Sequence, residues 1–157
     1  MLEYFTGEDP VKLDPKGRVT IPLKYREVIQ AGDQNWSEGK RPEVMLVYGF
    51  DNWNRLQVYP MRQYKTMIDR IAAMPSTQAT RLQIDEEGRL SIPQRHRERL
   101  KFGPELYLST KLDHIRLWHF KDYWDSEGRQ MAEQAAQRGP GFDLDAFLAD
   151  LATGAGG

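Results

Sequence analysis

Apolar and polar residues alternate in short blocks along the chain, and one arrangement of blocks occurs twice. The segment "VKL" is followed by the polar tetrad Asp14-Pro15-Lys16-Gly17 and then by "RVTI", so strands flank a turn. Asp at the first position, Pro at the second and Gly at the fourth are the preferences of a type I turn, with Gly free to take positive φ. Seventy-one positions later, Asp85-Glu86-Glu87-Gly88 keeps the two demanding residues and is followed by "RLSI". Pro22 and Pro93 then suit the first turn of short helices, over about 22–29 and 93–100. The blocks "EVMLVYG" with "RLQVYP", and "ELYLST" with "IRLWHF", predict two more strand pairs. In "MRQYKTMIDRIA", Met61, Tyr64, Ile68 and Ile71 fall on one helical stripe. In "KDYWDSEGRQMAEQAAQR" the periodicity is looser and broken by Gly128.

The pattern is therefore ββαββα, written twice, for a mostly β fold with short helices (α+β). The expected organisation is a first repeat over 1–73, a joint at 74–80 containing Pro75, a second repeat over 81–138 and a tail over 139–157. Later in the unit the offset drops to 59 (Leu56 to Ile115, Tyr64 to Tyr123). The shortfall of 12 is the length of the polar segment 31–42, "AGDQNWSEGKRP", which reads as an insertion in the first copy. Each copy is too small for a good core of its own, which favours two interleaved halves with a pseudo-two-fold axis. In the tail, Leu144, Phe147, Leu148 and Leu151 follow helical spacing and predict an amphipathic helix. The terminal "TGAGG" is expected to be disordered.

Composition narrows the function classes. With 39% hydrophobic residues, no membrane-length apolar run, no signal-peptide pattern and no cysteine, the chain reads as a cytoplasmic globular protein without disulfides or thiolate metal sites. The net charge is −1, but basic residues gather in 12–27 and in "PQRHRERLK", so a neutral total can hide a basic face. His96, His114 and His119 lack metal-ligand spacing, and there is no Gly-rich phosphate loop or nucleophile elbow. No metal, cofactor or catalytic residue is expected, and the chain is not expected to be an enzyme.

The two turns explain Asp14, Gly17, Asp85 and Gly88 as shaping residues, but not the arginines that follow them. At these residues the sequence resembles the MraZ family of transcriptional regulators of the bacterial division and cell-wall gene cluster. The likeness rests on "LDPKGRVTIPLKYRE", "IDEEGRLSIPQRHRE", "LQVYPMRQY" and "IRLWHFKDY", and covers about residues 4–125. It implies a swapped-hairpin barrel of the AbrB type with both halves in one chain. It also implies a ring-shaped homo-oligomer, nucleoid-associated, that binds direct repeats of double-stranded DNA upstream of its own cluster and often represses it.

Carried onto this chain, the DNA-contacting candidates are Arg18, Lys16 beside it, and Arg89. A guanidinium just past an exposed turn can reach a phosphate or fork onto guanine O6 and N7; the alternative is an ion pair with Asp14 that only stiffens the turn. Arg89 has Glu86 and Glu87 for neighbours, which compete for it and repel phosphate. Arg26 and Arg97 match at the 71-residue offset and are candidate secondary phosphate contacts, although a structural role within a seam is the favoured reading. A swapped-hairpin DNA binder of antitoxin type and an oligomeric scaffold without nucleic acid are the competing functions.

Overall fold

A computed structural model describes residues 4–49, 54–73 and 78–138. The elements run β1 (Asp9–Lys12), β2 (Arg18–Thr20), α1 (Leu23–Ala31), β3 (Glu43–Tyr48), β4 (Arg55–Pro60) and α2 (Met61–Ala72). They continue with β5 (Gln78–Gln83), β6 (Arg89–Ser91), α3 (Gln94–Arg99), β7 (Glu105–Lys111), β8 (His114–His119) and α4 (Phe120–Tyr123). The fold is α+β and mostly strand. The chain divides into two compact units, one ending at Tyr123 and the other beginning at Trp124. In the second, the break read at Gly128 is a π-helical turn, Trp124–Gly128, that runs into α5 (Arg129–Arg138). The tail 139–157, with its expected helix, lies outside the described residues, as do residues 74–77 of the expected joint. Gln78–Thr80, placed in that joint by the sequence, already belong to β5.

Each turn is followed by a parting of its two strands. Leu13 bridges Val19, and Ile84 bridges Leu90, but beyond those single bridges the strands take different partners. β1 runs antiparallel to β7 of the other half, and β5 runs antiparallel to β3. The resulting six-stranded sheet has the order β1-β7-β8-β4-β3-β5, while β2 and β6 pair only with each other. This differs from the closed barrel that was expected. β1 and β5 are the outer strands of an open sheet, because the ladder between the strands of each hairpin stops at its bridge.

One face of the sheet presents Val44, Leu46, Leu56, Val58, Leu106, Leu108, Ile115 and Leu117 to a core shared with Tyr25, Val28 and Ile29 of α1. Val19, Ile21, Leu90 and Ile92 bring the β2–β6 ribbon into the same core, each 2% exposed or less. Burial of this order, at roughly 25 cal/mol per Å² of apolar surface, is what fixes the ribbon to the body. The opposite face is partly polar: Trp118 Nε1 donates to Ser109 Oγ (2.8 Å) and Gln57 Nε2 to Tyr59 OH (2.7 Å). Along the stripe on α2, burial falls off from Met61 to Ile68. Met61 is covered, Tyr64 is half-buried, and Ile68 is 46% exposed.

Candidate nucleic-acid interface

The first turn is held by one carboxylate. Asp14 Oδ1 accepts the amides of Lys16 (2.9 Å) and Arg18 (2.9 Å), while Oδ2 accepts Arg18 Nε (2.7 Å). The Gly17 amide closes the turn onto the Asp14 carbonyl at 2.9 Å, with Gly17 at φ 81°. The bond from the Arg18 amide, followed by its guanidinium and the Lys16 amide, holds the Asp14 carboxyl below its ordinary value. The sequence left two readings of Arg18 open, and the structure contains the ion pair. It uses only Nε: the two terminal nitrogens make no hydrogen bond among the described residues. Lys16 stands exposed beside them.

The second turn repeats the geometry with different surroundings. Asp85 Oδ1 accepts the amides of Glu87 (3.0 Å) and Arg89 (2.8 Å), and Oδ2 accepts Arg89 Nε (2.9 Å). Burial pushes the Asp85 carboxyl up, but the bonds from the Arg89 amide and guanidinium outweigh it and leave the group below its ordinary value. Here Arg89 Nη2 also donates to Glu87 at 3.1 Å, so part of the outward fork is occupied. Glu86 in turn receives both Nε and Nη2 of Arg41, each at 2.9 Å.

Arg41 comes from the insertion. That loop is organised by buried Asp33, whose carboxylate accepts the amides of Asn35 and Glu43 (3.0 Å each), and by Trp36 Nε1 donating to the Lys40 carbonyl (2.7 Å). It leaves a cavity of about 260 Å³ against the second turn, lined by Arg26, Trp36, Arg41 and Glu86 among others. Nothing in local spacing signals that Arg41 meets Glu86, 45 residues away.

The ribbon joins the two turns. In its register Arg18 faces Ser91, Val19 faces Leu90 and Thr20 faces Arg89. Val19 and Leu90 point into the core, so Arg18, Thr20, Arg89 and Ser91 share the outward face. Thr20 and Ser91 were not among the sequence candidates, although both are polar, stand between core residues and match at the 71-residue offset. Because β2 and β6 are antiparallel, the turns lie at opposite ends of the ribbon. One end carries Lys16 and Arg18; the other carries Arg89 with Glu86 and Glu87.

Arg26 and Arg97 sit beneath the turns. Arg26 Nε donates to the Ile21 carbonyl and Arg97 Nε to the Ile92 carbonyl, both at 2.9 Å. A Cβ built on Gly17 would lie 2.5 Å from Arg97 Cζ, and one on Gly88 would lie 2.7 Å from Arg26 Cζ. Each arginine therefore covers the glycine of the other copy's turn.

His96 and His114 are buried, and His114 shares a 2.6 Å contact with Asp113. Among the described residues, no group of three or more His, Asp or Glu side chains could hold a metal ion, and no helix is long and apolar enough to cross a membrane.

The sequence model of the family described as "MraZ protein, putative antitoxin-like" matches residues 4–81 and 76–139. The chain is 31% identical over 166 residues to the transcriptional regulator MraZ of Ruegeria sp. (strain TM1040), covering 98% of this chain and 97% of that protein. It is 33% identical over 147 residues to the protein of that name from Ruegeria pomeroyi, covering 85% and 87%. The Cereibacter sphaeroides (strain ATCC 17025) protein is 32% identical over 168 residues, covering 94% and 97%. With two turns of one design, the ribbon that joins them and family matches spanning both halves, the chain belongs to the MraZ family.

Proposed function

We propose that this protein is a DNA-binding transcriptional regulator that reads DNA with the outward face of the β2–β6 ribbon and its turns. The observation that carries the reading is Arg18. Its Nε is fixed by Asp14, while its terminal nitrogens make no hydrogen bond among the described residues and Lys16 stands exposed two residues away. A guanidinium held in this way has lost side-chain freedom before binding, and its fork suits phosphate oxygens or a guanine edge. A two-stranded ribbon is narrow enough for the major groove. The names of the relatives, transcriptional regulator MraZ, agree with this reading.

The finer organisation follows the family resemblance. The two halves, 1–73 and 81–138 joined through 74–80, act as interleaved swapped hairpins of AbrB type, and the exchange of β1 and β5 between halves supports that view. The tail 139–157 is a separate element. One turn per protomer offers about two cationic contacts, and each neutralised phosphate contributes about −0.9 to the salt slope. Tight binding therefore requires several turns held in register, which a ring-like homo-oligomer on direct repeats supplies. The regulated DNA is the protein's own division and cell-wall cluster, with repression as the expected sign. The protein works in the cytoplasm at the nucleoid, without a cofactor and without enzymatic activity. The second turn contributes little, because Glu87 occupies part of the outward fork of Arg89.

Fluorescence anisotropy on DNA from upstream of its own gene, with a shuffled control at two salt concentrations, tests the function. Binding to the native DNA that weakens with salt, and clearly weaker binding to the control, is expected. Equal affinity for both DNAs, or none for either, would sink the reading.

A further inference from the structure

From the contacts around the two glycines we infer that Arg97 is the positioning residue for Arg18, acting across the two halves of the chain. The inference rests on the reading of Arg18 as a DNA contact, but its geometric part stands on its own.

Three contacts form a closed circuit at the first turn. The Ile92 amide donates to the Gly17 carbonyl at 2.9 Å. The Ile92 carbonyl accepts Arg97 Nε at 2.9 Å. The Arg97 guanidinium then folds back over Gly17, so close that a Cβ there would have to displace it. Gly17 is buried under it although it lies in a surface turn. Its neighbour is Arg18, whose amide and Nε both hang on Asp14 of the same turn. Arg97 therefore fixes the backbone from which Arg18 projects.

The mirror circuit runs from the Ile21 amide to the Gly88 carbonyl (2.9 Å), from Arg26 Nε to the Ile21 carbonyl, and from the Arg26 guanidinium to Gly88. The crossing is a consequence of the antiparallel ribbon. The end of β6 lies beside the start of β2, so the helix that follows β6 begins under the first turn. Arg26, eight residues from Arg18, thus serves the other turn. A planar guanidinium can anchor through Nε and cover a glycine at once, which a lysine ammonium cannot.

The expected consequences differ from those of a second phosphate contact. Arg97→Ala should weaken operator binding about tenfold or more, the scale of losing one specific contact. The double variant Arg18→Ala/Arg97→Ala should bind only slightly more weakly than Arg18→Ala, because Arg97 acts through the turn that carries Arg18 and Lys16 and not through a contact of its own. Arg26→Ala should weaken operator binding far less than Arg97→Ala, because the turn that Arg26 covers contributes little. Arg97→Lys keeps the charge but should not restore affinity.

Hydrogen–deuterium exchange on the full protein, without DNA, supplies the independent readout. Arg97→Ala should speed exchange of the Lys16, Gly17 and Arg18 amides, and Arg26→Ala that of Glu87, Gly88 and Arg89. Additive losses in Arg18→Ala/Arg97→Ala with a salt slope shallower by about a further 0.9 would make Arg97 a phosphate contact and overturn the inference. So would wild-type affinity in Arg97→Lys, or unchanged exchange at the first turn in Arg97→Ala. If wild type binds no DNA, the proposed function fails, while the exchange pattern still decides whether Arg97 holds the turn.

Discussion

Asp14 illustrates how much one side chain can organise. It accepts two amides and a guanidinium, and in doing so turns a flexible arginine into a fixed one. Gly17 is equally constrained: at φ 81° it occupies a region that costs other residues about 1–2 kcal/mol, and the Arg97 guanidinium fills the space a Cβ would need. Gly39 makes a useful comparison, with φ 88° and nothing within 4 Å of a built Cβ. Gly17→Ala should therefore lower the melting temperature by more than Gly39→Ala, since both bear the backbone strain of about 1–2 kcal/mol and only the first displaces Arg97. Thermal melts of the two variants side by side check this, and equal shifts would mean that the guanidinium yields without cost.

At the scale of elements, the packing of α3 holds a second consequence. His96 is 2% exposed, packs against Tyr48 with ring centroids 4.2 Å apart and the rings tilted by 60°, and its Nε2 has no hydrogen-bond partner among the described residues. Burial, with Arg95 and Arg99 nearby, pushes it down from 6.5 to about 4. The folded protein keeps this ring neutral while the unfolded chain protonates it below about 6.5. Its contribution is therefore complete above that value and is lost as the pH falls toward 4, on the order of 3 kcal/mol in all. His114, also held below its ordinary value by burial, adds to the same window. Denaturant unfolding at several pH values should show stability falling between 6.5 and 4. His96→Phe should flatten the slope without abolishing it.

The same scale shows what the residues announced in advance. Both turns were legible, since Asp-x-x-Gly specifies the bonds that form and the positive φ that follows. The helices after Pro22 and Pro93 appear as α1 and α3 within a residue or two of their expected bounds. The separation of each hairpin after one bridge was not legible as an open sheet, because strand periodicity fixes a buried face but not a partner. Arg26 and Arg97 stood out by their matched spacing. Which turn each serves depends on the ribbon's register, a long-range property that neither motif contains. The contact of Arg41 with Glu86 was hidden for the same reason.

At the scale of the whole molecule, the proposed function has to reconcile near-neutrality with tight DNA binding, and multiplicity is what would do so. A chain with 22 basic and 23 acidic residues cannot hold DNA through bulk charge. Affinity should therefore depend on how many turns are engaged at once. DNA carrying three copies of the operator repeat should bind on the order of 10² more tightly than DNA carrying one, while the mass of the protein assembly stays constant. Equal affinity for one and three copies would leave avidity no part.

The two turns differ in what surrounds their arginines, and a single comparison tests whether they differ on DNA. Operator affinity would be measured by fluorescence anisotropy for wild type, Arg18→Ala and Arg89→Ala at a single low salt concentration, with assembly and melting temperature checked in parallel. Arg18→Ala should lose about tenfold or more, and Arg89→Ala should stay within about threefold of wild type, because among the described residues Glu87 takes Nη2 of Arg89 while the terminal nitrogens of Arg18 make no hydrogen bond. Equal losses would give both turns the same role, and no loss in Arg18→Ala would contradict the account.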